Sequence, residues 1–332
     1  MRINDLGLGI LSYASHPLAK TLGDDPMRKT TQLKSMIARP EILVMPGAYD
    51  PISTRLIALA GFEAVQCTGL GITAAALGLP DFSVIGMSDM VARTARIVRT
   101  TDLPVMADGD NGFGNAVNTF LTVREFEAVG VAGINLEDQQ MPKRCGHLAG
   151  KQIVSTAEMV QKIRAAVDAR QDSDLVINAR TDSLALGGVD EAIGRGNAYL
   201  EAGADMVFVD GADSEAHIAQ LVAGIRGPIA VNMVEGGKTP PGLTVERLQT
   251  LGVARVSLPL TALLAAVQGM KRALANLKAS GDPATYQADL AGFEELHSLV
   301  GMDQVRAMEQ RYATAPGQEA QEAGAPPQPR WP

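Results

Sequence analysis

Cysteine is nearly absent: Cys67 and Cys145 are the only two in 332 residues. Two cysteines make no disulfide framework, so a reduced, cytoplasmic setting is expected. An excess of basic charge is also missing, since the formal net charge is −8. A nucleic-acid binder needs a basic face to displace counterions, so that class is set aside. No apolar run reaches the roughly 18 residues of a membrane helix. The N-terminal LGLGIL is short and follows Asp5, which makes it a weak imitation of an export signal. No G-x-G-x-x-G turn follows the first strand-like run, which counts against an open dinucleotide-binding sheet.

What is present fits a soluble globular protein: 46% hydrophobic and 20% charged residues. Short apolar runs ending in polar residues recur along the middle of the chain. They are EILVMPGAYD (41–50), EAVQCTG (63–69), LPVMADGD (103–110), AGINLED (132–138), LVINARTD (175–182), DMVFVDG (205–211), PIAVNMVEGG (228–237) and ARVSLP (254–259). The segments between them, such as 155–170 and 188–204, carry apolar residues at three- and four-residue spacing. Ser155 or Thr156 is placed to cap the first of these, with Glu158 in its opening turn. Strands apolar nearly throughout suit a parallel sheet covered on both faces. Eight strand–helix alternations predict an α/β fold, a closed (β/α)₈ barrel of the TIM type.

That barrel is assigned to residues 26–280, opening with a helix over 26–38. Residues 1–25 form an N-terminal extension. Residues 281–314 are expected to add C-terminal helices, because LAGFEELHSLVG and DQVRAMEQRY have amphipathic spacing. The segment 315–332, rich in Pro, Gly, Gln and Ala, is predicted to be a disordered tail.

Almost every strand run ends in an acid, an arginine or an amide: Asp50, Asp108, Asp110, Glu137, Asp138, Arg180, Asp182, Asp210, Asn232 and Glu235. In a barrel these ends converge on one rim, the rim that carries active sites. Asp108 and Asp110, with Glu137 and with Asp81 of the GLPD loop, make an all-oxygen set suited to a hard cation such as Mg²⁺. The same D-G-D-N-G run is turn-prone. A calcium loop fails, because the twelfth position counted from Asp108 is Thr119 rather than Glu. Arg180 suits bidentate binding of a carboxylate, or a salt bridge to Asp182. Asn232 can hydrogen-bond a carboxylate or a metal-bound water.

The stretch MPKRCGH (141–147) sets a thiol among Lys143, Arg144 and His147. Such cations favour the thiolate and lower its pKa. Cys145 could then act as nucleophile, proton donor or redox sensor, and side-chain chemistry alone does not choose. His147 could be a ligand, a base or a packed loop residue. The glycines at 146 and 150 suggest a loop able to close over a substrate.

KRCGH, GLPD, DGDNGFG, LED, ARTD and VNMVEGGKTP in this order resemble the isocitrate lyase / phosphoenolpyruvate mutase superfamily, from about Pro46 to Pro259. The resemblance implies a homotetramer that exchanges a C-terminal helix. It implies Mg²⁺, with Mn²⁺ as the substitute, held directly by Asp108 and largely through waters by Asp110, Asp81 and Glu137. It implies catalytic roles for Cys145, Lys143, His147 and Arg180. Substrate contacts follow at Thr68, Gly69, Leu70, Gly146, Arg180, Asp210, Asn232 and Glu235. In the lyase branch the cysteine is a proton donor, and the CGH motif favours carbon–carbon cleavage.

Departures bear on the substrate. Methylisocitrate lyases show N-x-T-E-F-G where this chain has NMVEGG, and Tyr and Ser where it has Gln66 and Thr68. They also carry an arginine where Leu264 aligns, a cation that a tricarboxylate needs. PGAYD and NMVEGGKTP look more like the malate-type lyases. The expected substrate is therefore a substituted malate of the 2,3-dimethylmalate type. Methylisocitrate cleavage, oxaloacetate hydrolysis or decarboxylation, and carboxyphosphonoenolpyruvate chemistry are the alternatives. A non-catalytic, redox-responsive metabolite-binding barrel is the reading from outside enzymology.

Overall fold

The computed structural model describes residues 27–143 and 150–313. Each apolar run contributes one strand: β1 (Leu43–Ala48), β2 (Val65–Cys67), β3 (Val105–Asp108), β4 (Gly133–Glu137), β5 (Val176–Thr181), β6 (Met206–Val209), β7 (Ile229–Asn232) and β8 (Arg255–Leu258). All eight pair in parallel in chain order and close into a barrel. The seam is a four-pair ladder from Leu43 opposite Arg255 to Pro46 opposite Leu258. The (β/α)₈ architecture expected from the alternation is thus the one observed.

Why both faces of the strands are apolar follows from the pleat, which sends successive side chains to opposite sides. Leu43, Met45, Met106, Met206 and Phe208 share one cluster inside the barrel. Their neighbours Val105, Ala107, Val207 and Val209 pack outward against helices. Helix Lys29–Ala38 brings Leu33 and Ile37 to the inner cluster and so covers the end where the strands begin. At the other end the strands hand over to capped helices. Ser155 accepts from the Glu158 amide at 3.1 Å, the cap read from the sequence. The helix expected over 188–204 begins earlier, at Leu184, and runs to Glu201. It bends at Gly188, whose φ of 79° ordinary residues avoid.

Beyond β8, helix Thr261–Ser280 and helices Phe293–Leu299 and Met302–Tyr312 have no buried residues of their own. Leu264, Val267, Met270, Leu274 and Leu277 form an exposed apolar stripe at helical spacing. Among the described residues no helix is long and apolar enough to cross a membrane.

Candidate active site

A pocket opens at the mouth formed by the C-terminal ends of the strands. Its lining includes Gln66, Thr68, Gly69 and Leu70 after β2, Asp108 at the end of β3, Asn135 and Glu137 of β4, and Arg180 of β5. Asp81, Lys143, Asp210, Asn232 and Ser257 complete its polar surface, with Phe208, Val234, Pro259 and Leu260 as apolar walls.

Asp108 is oriented by two backbone donors, Gly69 N–H at 2.9 Å and Asp110 N–H at 3.3 Å. Gly69 opens a helix that runs to Leu77 and is capped by Thr68. A Cβ at position 69 would stand 2.5 Å from Asp108 Oδ2, so only glycine lets this carboxylate approach the helix terminus. Asp110 sits in the left-handed region with φ 46°, a conformation that Asp tolerates better than most residues.

Lys143, the first residue of KRCGH, reaches into the acids. Its ammonium donates to Asp81 Oδ2 at 2.8 Å and lies 2.6 Å from Asp110 Oδ1, outside hydrogen-bond geometry. Burial works against its charge. Asp110, Glu137, Asp108 and Asp81 outweigh that and hold its pKa well above the ordinary lysine value. Burial also pushes Asp110 up to about 7, against the pull of Lys143, and raises Glu137 well above the usual carboxylate range.

Arg180 is gripped by acids on several sides. It pairs with Asp182 through Nε at 2.9 Å and Nη2 at 3.1 Å, and Nη2 also donates to Asp210 at 3.0 Å. Glu137 lies 3.3 Å from Nε, and the guanidinium stands over the Phe208 ring at 5.1 Å. These acids outweigh the effect of burial and hold its pKa well above the ordinary arginine value. Asn232 donates to Asp210 at 3.2 Å, which ties β6 and β7 together at the rim.

The residues singled out from the sequence therefore fall into three sets. Thr68, Gly69, Leu70, Asp81, Asp108, Glu137, Lys143, Arg180, Asp210 and Asn232 come together at one pocket, with Asp110 directly behind Lys143. Glu235 stands apart, exposed and bonded to the Thr261 hydroxyl. Cys145, Gly146 and His147 lie outside the described residues.

Several contributors escaped sequence reading. Lys151 donates to Asp182 at 2.7 Å with both side chains buried. Asp138, which the sequence did mark as a strand-end acid, accepts from Thr181, Tyr199 and the Asp182 amide and so anchors the rim beneath the pocket rather than lining it. Asn135, Ser257 and Arg255 lie in the barrel interior. Arg255 did leave a signal, a lone charge within the apolar run ARVSLP.

As for a metal, the donor set is all oxygen, and one of its atoms is orphaned. Glu137 Oε1 is buried without a hydrogen-bond partner, while Asp110 Oδ1 is held by the Lys143 ammonium at 2.6 Å. Among the described residues no three His, Cys, Asp or Glu side chains converge into a cage of their own. That combination fits Mg²⁺ or a similar hard cation, which keeps several waters and needs only one or two direct carboxylates.

Such a rim on an eight-stranded parallel barrel defines an α/β-barrel protein with an acid-rich pocket for a polar ligand. The chain belongs to the phosphoenolpyruvate phosphomutase family, whose sequence profile matches residues 33–278. It is 42% identical over 288 residues to the 2,3-dimethylmalate lyase of Eubacterium barkeri, covering 87% of this chain and 99% of that protein. Among solved structures it is similar to an oxaloacetate acetylhydrolase in complex with the inhibitor 3,3-difluorooxalacetate. The TM-score is 0.82 and the identity 32%, covering 88% of this chain and all 100% of that one. A phosphonopyruvate hydrolase complexed with oxalate and Mg²⁺ matches at TM-score 0.79 and 30% identity, over 87% of this chain and 100% of that one.

Proposed function

We propose that the chain, a carbon–carbon lyase as its named relatives are, cleaves a substituted malate of the 2,3-dimethylmalate type to a 2-oxo acid and a carboxylate. The observation that carries this reading is the convergence of Lys143 and Arg180 with Asp81, Asp108 and Glu137 at one pocket, with Cys145 two residues after Lys143. Asp108 would hold a divalent cation directly, with Asp110, Asp81 and Glu137 reaching it through waters. A cation held there, such as the Mg²⁺ present in the oxalate-bound hydrolase, would supply Lewis acidity toward a bound 2-hydroxy acid.

The rest falls to side chains of this protein. With the Gly69 N–H taken by Asp108 and the Gly71 N–H by Thr68, Leu70 is the first-turn residue on the pocket lining whose amide is left to favour a substrate carboxylate. Arg180, its plane fixed by Asp182 and Asp210, holds the second carboxylate. A base takes the hydroxyl proton, and the oxygen forms the new C=O as the neighbouring C–C pair leaves as a carboxylate-stabilised carbanion. The Cys145 thiol protonates that carbon and is left as the thiolate. Gln66 is no base: its Oε1 accepts from Arg255 and its Nε2 donates to the Cys67 carbonyl.

A second reading, oxaloacetate hydrolysis, is favoured by the similarity to the acetylhydrolase. Product release from 2,3-dimethylmalate, methylisocitrate and oxaloacetate separates the two. Pyruvate from dimethylmalate supports the lyase reading, and turnover of oxaloacetate alone overturns it. Activity should vanish on exhaustive chelation and return with Mg²⁺ or Mn²⁺. Full turnover in chelator would remove the metal from the mechanism.

A further inference from the structure

Arg255 opens β8 and is completely buried. Its Nη2 donates to Gln66 Oε1 at 2.7 Å and to the Ser257 hydroxyl oxygen. Its Nη1 lies 2.9 Å from the Met106 sulfur and 3.5 Å from Asn135 Oδ1, while Nε has no hydrogen-bond partner. Every one of these partners is neutral. No carboxylate among the described residues offsets the charge, and burial draws the pKa of Arg255 down to about 9. Gln66, Asn135 and Ser257 also line the pocket, so the guanidinium lies one side chain beneath the pocket floor.

The two cations that the described residues bring to the pocket wall are in the opposite condition. Lys143 is matched by Asp81 and Asp110, and Arg180 by Asp182, Asp210 and Glu137. Among the described residues, an anionic substrate therefore meets walls whose positive charge is largely offset by neighbouring acids, even where Arg180 orients one of its carboxylates. A buried cation without a counterion is destabilising, and an apolar side chain of similar length would avoid that cost. A fold that keeps one under its reaction pocket has a functional reason to do so.

We propose that Arg255 is a positioning residue of this pocket, which fixes Gln66 and Ser257 from below and supplies the anionic substrate with the positive charge its walls have neutralised. Because Ser257 accepts from the guanidinium, its own proton is free to be donated toward a pocket oxygen. Inside a water-poor barrel the field of Arg255 is only weakly screened. Its effect on turnover, through the positive field felt by the carbanion that cleavage would form, rests on the lyase reading above. The part played in holding a dicarboxylate does not.

The test compares the full-length protein with Arg255→Met, Arg255→Lys, Ser257→Ala and the Arg255→Met/Ser257→Ala double variant. It measures Tm, kcat on whichever substrate the panel identifies, and calorimetric affinity for oxalate in the presence of Mg²⁺. Arg255→Met should keep the parental Tm or exceed it, since an apolar chain replaces an uncompensated charge. Its kcat should fall about 10²-fold or more, and its oxalate affinity about tenfold, on the scale of losing one preorganised donor. Arg255→Lys should recover part of the oxalate affinity, and the double variant should lose little beyond Arg255→Met, as coupled positions do. A merely structural arginine would lower Tm and leave oxalate affinity at the parental value, and that result overturns the proposal. Should Arg255→Met fail to fold, Arg255→Gln decides by the same readouts. A parent that turns over nothing in the panel, yet binds oxalate in an Arg255-dependent way, refutes the lyase reading and retains Arg255 as an anion-positioning residue.

Discussion

Asp182 has none of its charge left for a ligand: Arg180 grips it with a two-point fork and Lys151 donates to it from the other side. Such a carboxylate fixes the plane of Arg180, and a lysine at position 180 cannot reproduce that fork. Arg180→Lys should therefore lower kcat/KM by about 10²-fold or more, the scale of a lost preorganised donor. Steady-state kinetics beside an oxalate titration check this, and near-parental values would confine Arg180 to a structural role. Cys145→Ser should cut kcat by about 10²- to 10⁴-fold, the usual contribution of a general acid. Oxalate binding should survive, because the proton moves only during turnover. A covalent adduct in a rapidly quenched reaction of the parent would make Cys145 a nucleophile instead. The other cysteine is inert by position. Cys67 is 1% exposed, and burial pushes its thiol up to about 12. In Cys145→Ser, native protein should take up no iodoacetamide, and label on Cys67 in an intact-mass spectrum would contradict this.

At the scale of elements, the pocket depends on a strand end meeting a helix start. Helix 69–77 begins where β3 delivers Asp108, and the contact leaves no room for a Cβ at Gly69. Alanine in place of glycine ordinarily favours a helix by up to about 1 kcal/mol. Here it would push the Asp108 carboxylate aside. Gly69→Ala should therefore leave Tm little changed and weaken the Mg²⁺ requirement curve by about tenfold or more, the scale seen when a metal's surroundings are disturbed. A parental Mg²⁺ dependence in this variant would show that Asp108 has freedom the close contact denies it.

For the whole molecule, the barrel is complete at β8, yet the chain continues through helices that bury nothing of their own. Phe293 is 74% exposed, and Leu296, Val300, Val305 and Met308 are exposed beside it. Apolar surface on this scale marks a protein interface. We infer that these helices pack on a neighbouring subunit in a tetramer. A chain ending at Gly281 should then sediment as a smaller species with a lower Tm. A stable tetramer from that truncated chain would place the interface elsewhere.

The barrel was legible in the residues alone, because apolar runs of strand length alternating with helical spacing admit few other packings, and each run became a strand. The sequence also determined which rim carries the polar residues, since strand ends in a parallel barrel share one mouth. Local devices such as the Ser155 cap were legible because cap and recipient are three residues apart. Partnerships across the barrel were not. Lys143 meets Asp81 from 62 positions away, Gln66 receives Arg255 from 189 away, and Glu235 turns out to Thr261 rather than toward the pocket. Only the closure of β8 onto β1 brings the guanidinium of Arg255 beneath the floor, because contact in a closed barrel depends on register around the ring and not on separation along the chain.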